Sequence, residues 1–144
     1  MKKVFTNGCF DILHRAHFEL LRYCKGLGDW VIVGVNSDAS IKRIKDPSRP
    51  YNKEDDRVFM LQGCKYVDEV IVFHEDTPLE LVKKLSPSLI VKGGDYNVED
   101  VAGHEIAEVK IFNYIEGYST TRILENKKEA LTHDKEKRNA DLAN

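Results

Sequence analysis

The chain has 144 residues, of which 42% are hydrophobic, and this length suits a single domain with its own core. It carries 22 Lys and Arg against 24 Asp and Glu, a formal net charge of -2, so we expect no nucleic-acid partner. Its three cysteines form no CxxC pair, which argues against a zinc site and a disulfide framework. No run approaches the roughly 20 apolar residues of a membrane span, and the N-terminus lacks the pattern of a signal peptide. We therefore predict a cytoplasmic protein without a membrane partner.

Short apolar runs alternate with amphipathic stretches along the chain. We predict strands over residues 2–6, 30–35, 69–73, 89–91 and 109–112. Between and after them we predict helices over residues 16–25, 53–63 and 79–85, a short helix from Ser37 or Asp38 to Lys45, a loop over 46–52, and a last helix from Ser119 to Leu124. We assign the apolar faces of the first and third helices to Phe18, Leu20, Leu21 and Cys24, and to Val58, Met60 and Leu61.

This alternation is typical of an α/β protein, and we predict a Rossmann-like three-layer fold with a five-stranded parallel sheet. In such sheets, ligands bind at the carboxyl ends of the strands. The predicted domain covers residues 1–126. Residues 127–144 are rich in charged side chains and are predicted to form a helical extension or a tail.

The segment that follows the first predicted strand, NGCFDILHRAH, places His14 and His17 three residues apart. If a helix begins near His14, both imidazoles lie on its first turn, where backbone N–H groups and a positive partial charge attract phosphate. Donors held around a phosphate favour its transfer by stabilising charge on its oxygens. Gly8 lets the backbone approach a ligand closely. Two histidines at this spacing are by themselves more often structural, but their place after a strand and a glycine favours phosphate chemistry.

A basic loop follows the second predicted strand and its short helix. Within SRPYNKEDDR, over residues 48–57, we expect Arg57 to reach a triphosphate, with Arg49 and Lys45 closing over it. Taken singly, basic residues in a loop are more often just solvated.

Two further segments, VKGGDY and EGYSTTRI, also follow predicted strands. In the first, Lys92 suits a phosphate and Asp95 suits a base or a ribose, while the two glycines permit a tight turn or a close approach. In the second, the hydroxyl residues Ser119, Thr120 and Thr121 open a helix and suit an anion. A plain turn and a plain helix cap remain the alternatives for these two segments.

The segment GCFDILHRAH resembles the signature of the cytidylyltransferase-like nucleotidyltransferases, which have a short strand, G-x-F-D-x-x-H and then H-x-G-H. GYSTT resembles the G-x-S-T-T segment that closes the nucleotide site of that family. The family also has an arginine at the position of Arg57 and basic residues in the loop before it. Ala16 is a departure, because the family usually has glycine between the two histidines.

The resemblance extends over residues 3 to 124 and is strongest to the adenylyltransferase domain of bacterial heptose-phosphate enzymes. It implies transfer of a nucleoside monophosphate from ATP or CTP to a small sugar or polyol phosphate, first of all AMP to heptose 1-phosphate. Glycerol-3-phosphate cytidylyltransferase is the alternative branch, but Tyr114 and Ile115 stand where that branch tends to have arginine and threonine. The resemblance further implies Mg²⁺ bound mainly through the triphosphate, and a homodimer.

The resemblance also implies roles for individual residues. The catalytic residues it implies are His14, His17, Lys45 and Arg57. The nucleotide-binding residues it implies are Asn7, Gly8, Cys9, Phe10, His14, His17, Lys92, Gly94, Asp95, Tyr96, Ser119, Thr120 and Thr121. No metal-ligating residue is predicted. We interpret Cys9 as a packing residue and not as a nucleophile, because no base is evidently paired with it.

Two other classes of protein remain as alternatives at this point. A nucleotide-binding module would use the same pocket to sense a nucleotide without turning it over. A fragment of an aminoacyl-tRNA synthetase would share the histidine motif, but the chain is short for it and its charge offers tRNA little to bind.

Overall fold

The computed structural model describes residues 1–113, so the predicted helix from Ser119 to Leu124, its three hydroxyl residues and the tail over 127–144 lie outside the described residues. The strands are β1 (Lys3–Gly8), β2 (Trp30–Asn36), β3 (Glu69–Phe73), β4 (Leu89–Gly93) and β5 (Glu108–Phe112). The α-helices within these residues are α1 (Arg15–Leu27), α2 (Asp38–Ile44), α3 (Glu54–Gln62) and α4 (Leu79–Leu85), and a single 3-10 turn spans Val98–Asp100.

The five strands form one parallel sheet in the order β3-β2-β1-β4-β5. On one face of the sheet, Leu20 of α1 and Leu61 of α3 belong to the same core cluster as Val33. On the other face, Val82 of α4 packs in a second cluster with Phe5. Helices therefore cover both faces, and the predicted α/β fold with a five-stranded parallel sheet is confirmed. Within residues 1–113, no helix has both the length and the apolar character needed to cross a membrane.

Strand β2 is buried along almost its whole length, with six of its seven residues inaccessible to solvent. A continuous apolar run is typical of a parallel strand that is covered on both faces. Gly34 lies in the middle of this run, and a Cβ atom there would stand 2.9 Å from Cζ of Phe5. The glycine therefore leaves room for an aromatic ring of the neighbouring strand.

The predicted bounds of β3 and α4 match the structure, and those of the other elements differ by one or two residues at an end. Two side chains contradict the predicted apolar faces: Phe18 is 39% exposed and Met60 is 38% exposed. In α1 the predicted core residues Leu20, Leu21 and Cys24 are buried, together with Ala16. Phe18 is two positions from both Ala16 and Leu20, and residues two apart in a helix point in nearly opposite directions.

The carboxyl edge of the sheet has a crevice between β1 and β4. From β1 the chain proceeds through β2 to β3, and then crosses back to β4 on the other side of β1. Such a reversal is where parallel sheets bind ligands. Strands β1 and β4 end two residues later than predicted, at Gly8 and Gly93. The segments NGCFDILHRAH and VKGGDY therefore begin inside these strands and continue beside the crevice.

The side chain of Arg57, on α3, is fully buried and joins four segments at this edge. Its Nη1 donates to the backbone oxygens of Cys9 and Asn36 at 2.8 and 2.7 Å. Its Nε donates to the backbone oxygen of Asn52 at 2.9 Å, and its Nη2 lies 2.8 Å from Oδ1 of Asp38. These contacts correct the expectation that Arg57 reaches a triphosphate, because protein oxygens bind its guanidinium and solvent does not reach it.

Asp11 holds the same loop from the other side and is itself only 4% exposed. Its carboxylate accepts hydrogen bonds from the backbone N–H groups of Tyr51 and Asn52, both at 2.8 Å. The side-chain amide of Asn52 donates to the backbone oxygen of Asp11 at 2.8 Å, and Nη1 of Arg49 lies 3.4 Å from the carboxylate. The basic loop is thus held against the first motif by directed polar contacts.

We predict that Arg57→Met lowers the free energy of unfolding by roughly 3 kcal/mol or more, because the variant leaves several buried or half-buried oxygens without their donor. Urea denaturation followed by circular dichroism measures the change. Arg22→Met is the matched control, since Arg22 is exposed on α1 and pairs with Glu19, and it should change stability by less than about 0.5 kcal/mol. Equal stability of the two variants would contradict a structural role for Arg57.

Candidate active site

A cleft of about 430 Å³ opens at the carboxyl edge of the sheet. It is formed by the ends of β1, β2 and β4 and by the segments that follow the first four strands. The lining residues are Asn7, Gly8, Cys9, Phe10, Asp11 and His17 in and after β1; Asn36, Ile41, Ile44, Lys45 and Arg49 in and after β2; Asp76, Thr77 and Pro78 after β3; and Lys92, Gly93, Tyr96, Asp100, Val101 and Ala102 in and after β4. Most of the residues predicted from the sequence are therefore brought together here.

In the segment after β1, the ring of Phe10 packs beside the imidazole of His17. Phe10 is buried and has a positive φ of 48°, which is uncommon for a residue other than glycine. A Cβ atom on Gly8 would lie 3.2 Å from the Phe10 ring, so the glycine makes room for that ring as well as for a ligand. The centroid of the Phe10 ring is 5.3 Å from that of His17. Gly8 and Phe10 thus support the imidazole from the strand side.

His14 is the N-cap of α1, and His17 lies in the first turn of that helix. The centroids of the two imidazole rings are 3.9 Å apart. Nδ1 of His17 accepts a hydrogen bond from the backbone N–H of His14 at 3.2 Å. A neutral imidazole that accepts at Nδ1 carries its proton on Nε2. His17 therefore offers an N–H donor at Nε2 to a ligand in the cleft.

Both imidazoles are held in their neutral form. Burial, with smaller contributions from His14 and Lys45, lowers the pKa of His17 from 6.5 to about 3. Burial also lowers the pKa of His14. His17 lines the cleft directly, whereas His14 stands beside it at the start of the helix. The structure thus brings the predicted histidine pair together and gives its two members different positions.

Three basic side chains line the same cleft as His17. Lys45 and Arg49 come from the segment after α2, and Lys92 comes from the end of β4. Burial is the main cause that lowers the pKa of Lys92, and its ammonium group lies 5.1 Å from the centre of the Tyr96 ring. A half-buried ammonium group beside other cations gains stability when an anion binds. The cleft therefore suits a ligand that carries several phosphate oxygens.

Cys9 lies at the mouth of the crevice but is not activated as a nucleophile. Burial raises the pKa of its thiol, although Lys45 and Arg57 act in the opposite direction. Its Sγ is 4.0 Å from Oδ1 of Asn36. A thiol with a raised pKa carries little thiolate at neutral pH, which agrees with the interpretation of Cys9 as a packing residue.

Besides His14, two described residues predicted to bind nucleotide, Gly94 and Asp95, do not line the cleft. Gly94 has a φ of 113° and donates its N–H to the backbone oxygen of Phe112 at 2.9 Å, so it turns the chain after β4. Gly93 lines the cleft in its place. Asp95 follows the turn and is exposed.

Several lining residues were missed by the sequence reading. They are Asp11, Asn36, Asp76, Thr77 and Asp100, with apolar neighbours such as Ile41, Ile44 and Ala102. A signal existed for some of them. Asp11 is part of the F-D-x-x-H string, and Asn36 and Asp76 are polar residues at or just after a strand end. The contribution of Asp100 and Ala102 depends on the path of the chain between β4 and β5, for which the sequence carries no comparable signal.

The described residues do not form a metal site made of protein ligands. Within residues 1–113, no group of three or more His, Cys, Asp or Glu side chains is arranged to hold a metal ion. Asp11, the buried carboxylate of the cleft, already accepts hydrogen bonds from two backbone N–H groups and lies close to Arg49.

Similar sequences occur as one part of longer bacterial proteins. The chain is 50% identical over 135 residues to the bifunctional protein HldE of Campylobacter concisus, which corresponds to 93% of this chain and 29% of that protein. It is 54% identical over 123 residues to HldE of a Nitratiruptor species and 51% identical over 125 residues to HldE of Helicobacter pylori, with 85% and 86% of this chain and 27% of each relative covered. The chain spans less than a third of the length of these relatives.

A solved structure and a family model agree with these matches. The lipopolysaccharide core biosynthesis protein of Thermoplasma volcanium superposes with a TM-score of 0.66 at 28% sequence identity, and the match covers 83% of this chain and 99% of that one. The cytidylyltransferase-like family model matches residues 5–130, a range that includes every residue lining the cleft. The chain therefore belongs to the cytidylyltransferase-like family of nucleotidyltransferases.

Proposed function

We propose that this chain transfers AMP from ATP to heptose 1-phosphate, with ADP-heptose and pyrophosphate as the products. The observation that carries the proposal is the N–H donor of neutral His17 in a cleft that also contains Lys45, Arg49 and Lys92. Identity of about half to the HldE proteins, and the resemblance of the motifs to a heptose-phosphate adenylyltransferase domain, support this choice of substrates.

The chemistry that fits this arrangement is one direct displacement at phosphorus. An oxygen of the sugar phosphate attacks the α-phosphorus of ATP, the new oxygen–phosphorus bond forms, and the bond to the β-phosphate oxygen breaks. Negative charge accumulates on the oxygens around the α-phosphorus, where Nε2 of His17 donates a hydrogen bond and the lysines supply positive charge. The raised pKa of Cys9 disfavours its thiol as a nucleophile, so the scheme contains no covalent intermediate on Cys9. The residues of the cleft act by positioning and by electrostatics.

A neutral histidine is well suited to this position between cations. A protonated His17 would repel the ammonium group of Lys45, and the pKa of about 3 prevents this. The neutral ring still donates one hydrogen bond, because its proton lies on Nε2. We further infer that Mg²⁺ enters with the triphosphate and reduces its charge.

The decisive assay is pyrophosphate release from each nucleoside triphosphate combined with a panel of sugar and polyol phosphates. We expect the highest kcat/KM for ATP with heptose 1-phosphate. A preference for CTP with glycerol 3-phosphate would assign the chain to the alternative branch of the family. Nucleotide binding without turnover of any pair would contradict the enzyme hypothesis and favour a binding module.

We predict that His17→Ala lowers kcat roughly 100- to 1000-fold, because the variant loses a donor to the oxygens of the reacting phosphate. His17→Gln retains an N–H donor of similar reach and should keep more activity than His17→Ala. Initial rates at saturating ATP and acceptor measure both effects. Turnover of His17→Ala equal to that of the wild type would contradict the role of this residue.

We predict that His17 is neutral and protonated at Nε2 at pH 6. Two-bond proton–nitrogen correlation spectra of protein labelled with nitrogen-15 report the tautomer and its titration directly. The folded pKa of about 3 is below the unfolded value of 6.5, so the folded protein binds fewer protons between these limits. The stability due to neutral His17 is therefore complete above pH 6.5 and declines as the pH falls towards 3. A titration midpoint near 6.5 in the folded protein would contradict this prediction.

The cytoplasmic location, the homodimer and the lack of a nucleic-acid partner stay predictions of the sequence and of its family resemblance.

A further inference from the structure

The cleft has two wings that meet at the end of β1, where Gly8 and His17 lie. One wing follows β4 and contains Lys92 and Tyr96. The other wing lies after β2 and β3, with Lys45 on its α2 side and Asp76 on its β3 side. A reaction between two substrates needs two such places on either side of the reacting phosphate. In the proposed reaction the nucleotide occupies the β4 wing, which Lys92 and Tyr96 line, so the acceptor is left with the wing between β2 and β3.

This second wing is divided by charge. The basic side chains of Lys45 and Arg49 lie towards the loop before α3, whereas Asp76 is a carboxylate on the opposite segment. Ile41 and Ile44 of α2 line the cleft between these segments. A phosphate group is attracted to Lys45 and Arg49, whereas the carboxylate of Asp76, which is paired with Arg43, does not attract it. An acceptor in this wing therefore has a preferred direction, with its phosphate near Lys45 and its uncharged end near Asp76.

The segment that carries Asp76 is exposed, yet hydrogen bonds to α2 hold it in one conformation. Nη2 of Arg43 donates to the backbone oxygen of His74 at 2.6 Å, and Nε of Arg43 donates to Oδ1 of Asp76 at 3.1 Å. The hydroxyl of Ser40 donates to the backbone oxygen of Glu75 at 3.2 Å. These contacts fix one oxygen of the Asp76 carboxylate. The other oxygen, Oδ2, accepts no hydrogen bond from residues 1–113.

We propose that Asp76 is a specificity-determining residue for the acceptor and accepts hydrogen bonds from hydroxyl groups of a polyhydroxylated phosphate ester. A carboxylate accepts and does not donate, so it suits the hydroxyl groups of a sugar or polyol and disfavours a second anionic group. This inference rests on the proposed function, because it assigns the β2–β3 wing to the acceptor of that reaction. Arg43 is then a positioning residue that holds the carboxylate in place.

The test compares wild-type protein with Asp76→Asn, which keeps the shape of the side chain and an oxygen for Arg43 but loses the charge. We expect the KM for heptose 1-phosphate to rise roughly ten- to hundredfold, while the KM for ATP stays within about twofold. Asp56→Asn, on the exposed side of α3 and away from the cleft, is the matched control and should leave both constants unchanged. An unchanged KM for heptose 1-phosphate, or a rise confined to ATP, would overturn the proposal.

A second measurement separates loss of hydroxyl recognition from general damage to the wing. Propyl phosphate carries a phosphate but no hydroxyl group, so its inhibition constant against the acceptor should be the same in wild type and in Asp76→Asn. Equal weakening of propyl phosphate and heptose 1-phosphate would show that Asp76 only maintains the shape of the wing, and would overturn the proposal.

The role of Asp76 is also measurable if heptose 1-phosphate is not a substrate, an outcome that would reject the proposed function alone. Calorimetric titrations then compare glycerol 3-phosphate with propyl phosphate in the presence of a non-hydrolysable ATP analogue. We expect wild-type protein to bind glycerol 3-phosphate more tightly and Asp76→Asn to bind the two equally. Equal affinities in the wild type, or no binding of either compound, would overturn the inference about Asp76.

Discussion

The carboxyl edge of the sheet depends on the buried guanidinium group of Arg57. The loop before α3 buries no apolar side chain, so hydrophobic packing does little to hold it in place. Arg57 binds oxygens from the segment after β1, the end of β2, α2 and the loop before α3, and Asp11 binds that loop from the first motif. A planar group with several fixed donors joins segments that approach from different directions, which an ammonium group does poorly. The cleft owes its shape to these polar contacts.

The organisation of charge in the cleft follows from this scaffold. Lys45 and Arg49 come from the segment that Asp11 and Arg57 hold, and Lys92 comes from β4 on the other side of His17. Crowding of cations without a ligand is unfavourable, and the structure limits it by keeping the imidazoles neutral. A neutral donor between cations binds phosphate oxygens without adding to the repulsion in the empty state. Because the neutral imidazoles add no positive charge, the half-buried ammonium group of Lys92 meets less repulsion in a stable fold.

Local sequence patterns predict some elements well and certain side chains poorly. The run EVIVF gives the observed bounds of β3, because an apolar stretch between polar residues has few alternatives. Arg57 is different, since in the sequence it is one of several basic residues near a loop. Its burial depends on oxygens of Cys9 and Asn36, which are 48 and 21 positions away along the chain. Phe18 is misassigned for a simpler reason, because an apolar residue in an amphipathic helix does not have to face the core.

By itself the sequence determined the alternation of strands and helices, the parallel sheet, and the glycine and histidine motifs at strand ends. These features depend on the period of apolar residues and on backbone geometry within a few positions. Only the tertiary structure decided that Arg57 is a buried support, that His17 lines the cleft while His14 stands beside it, and that Asp76 lies in the wing that also contains Lys45. The physical reason is that these placements depend on the order of strands in the sheet and on hydrogen bonds between distant segments.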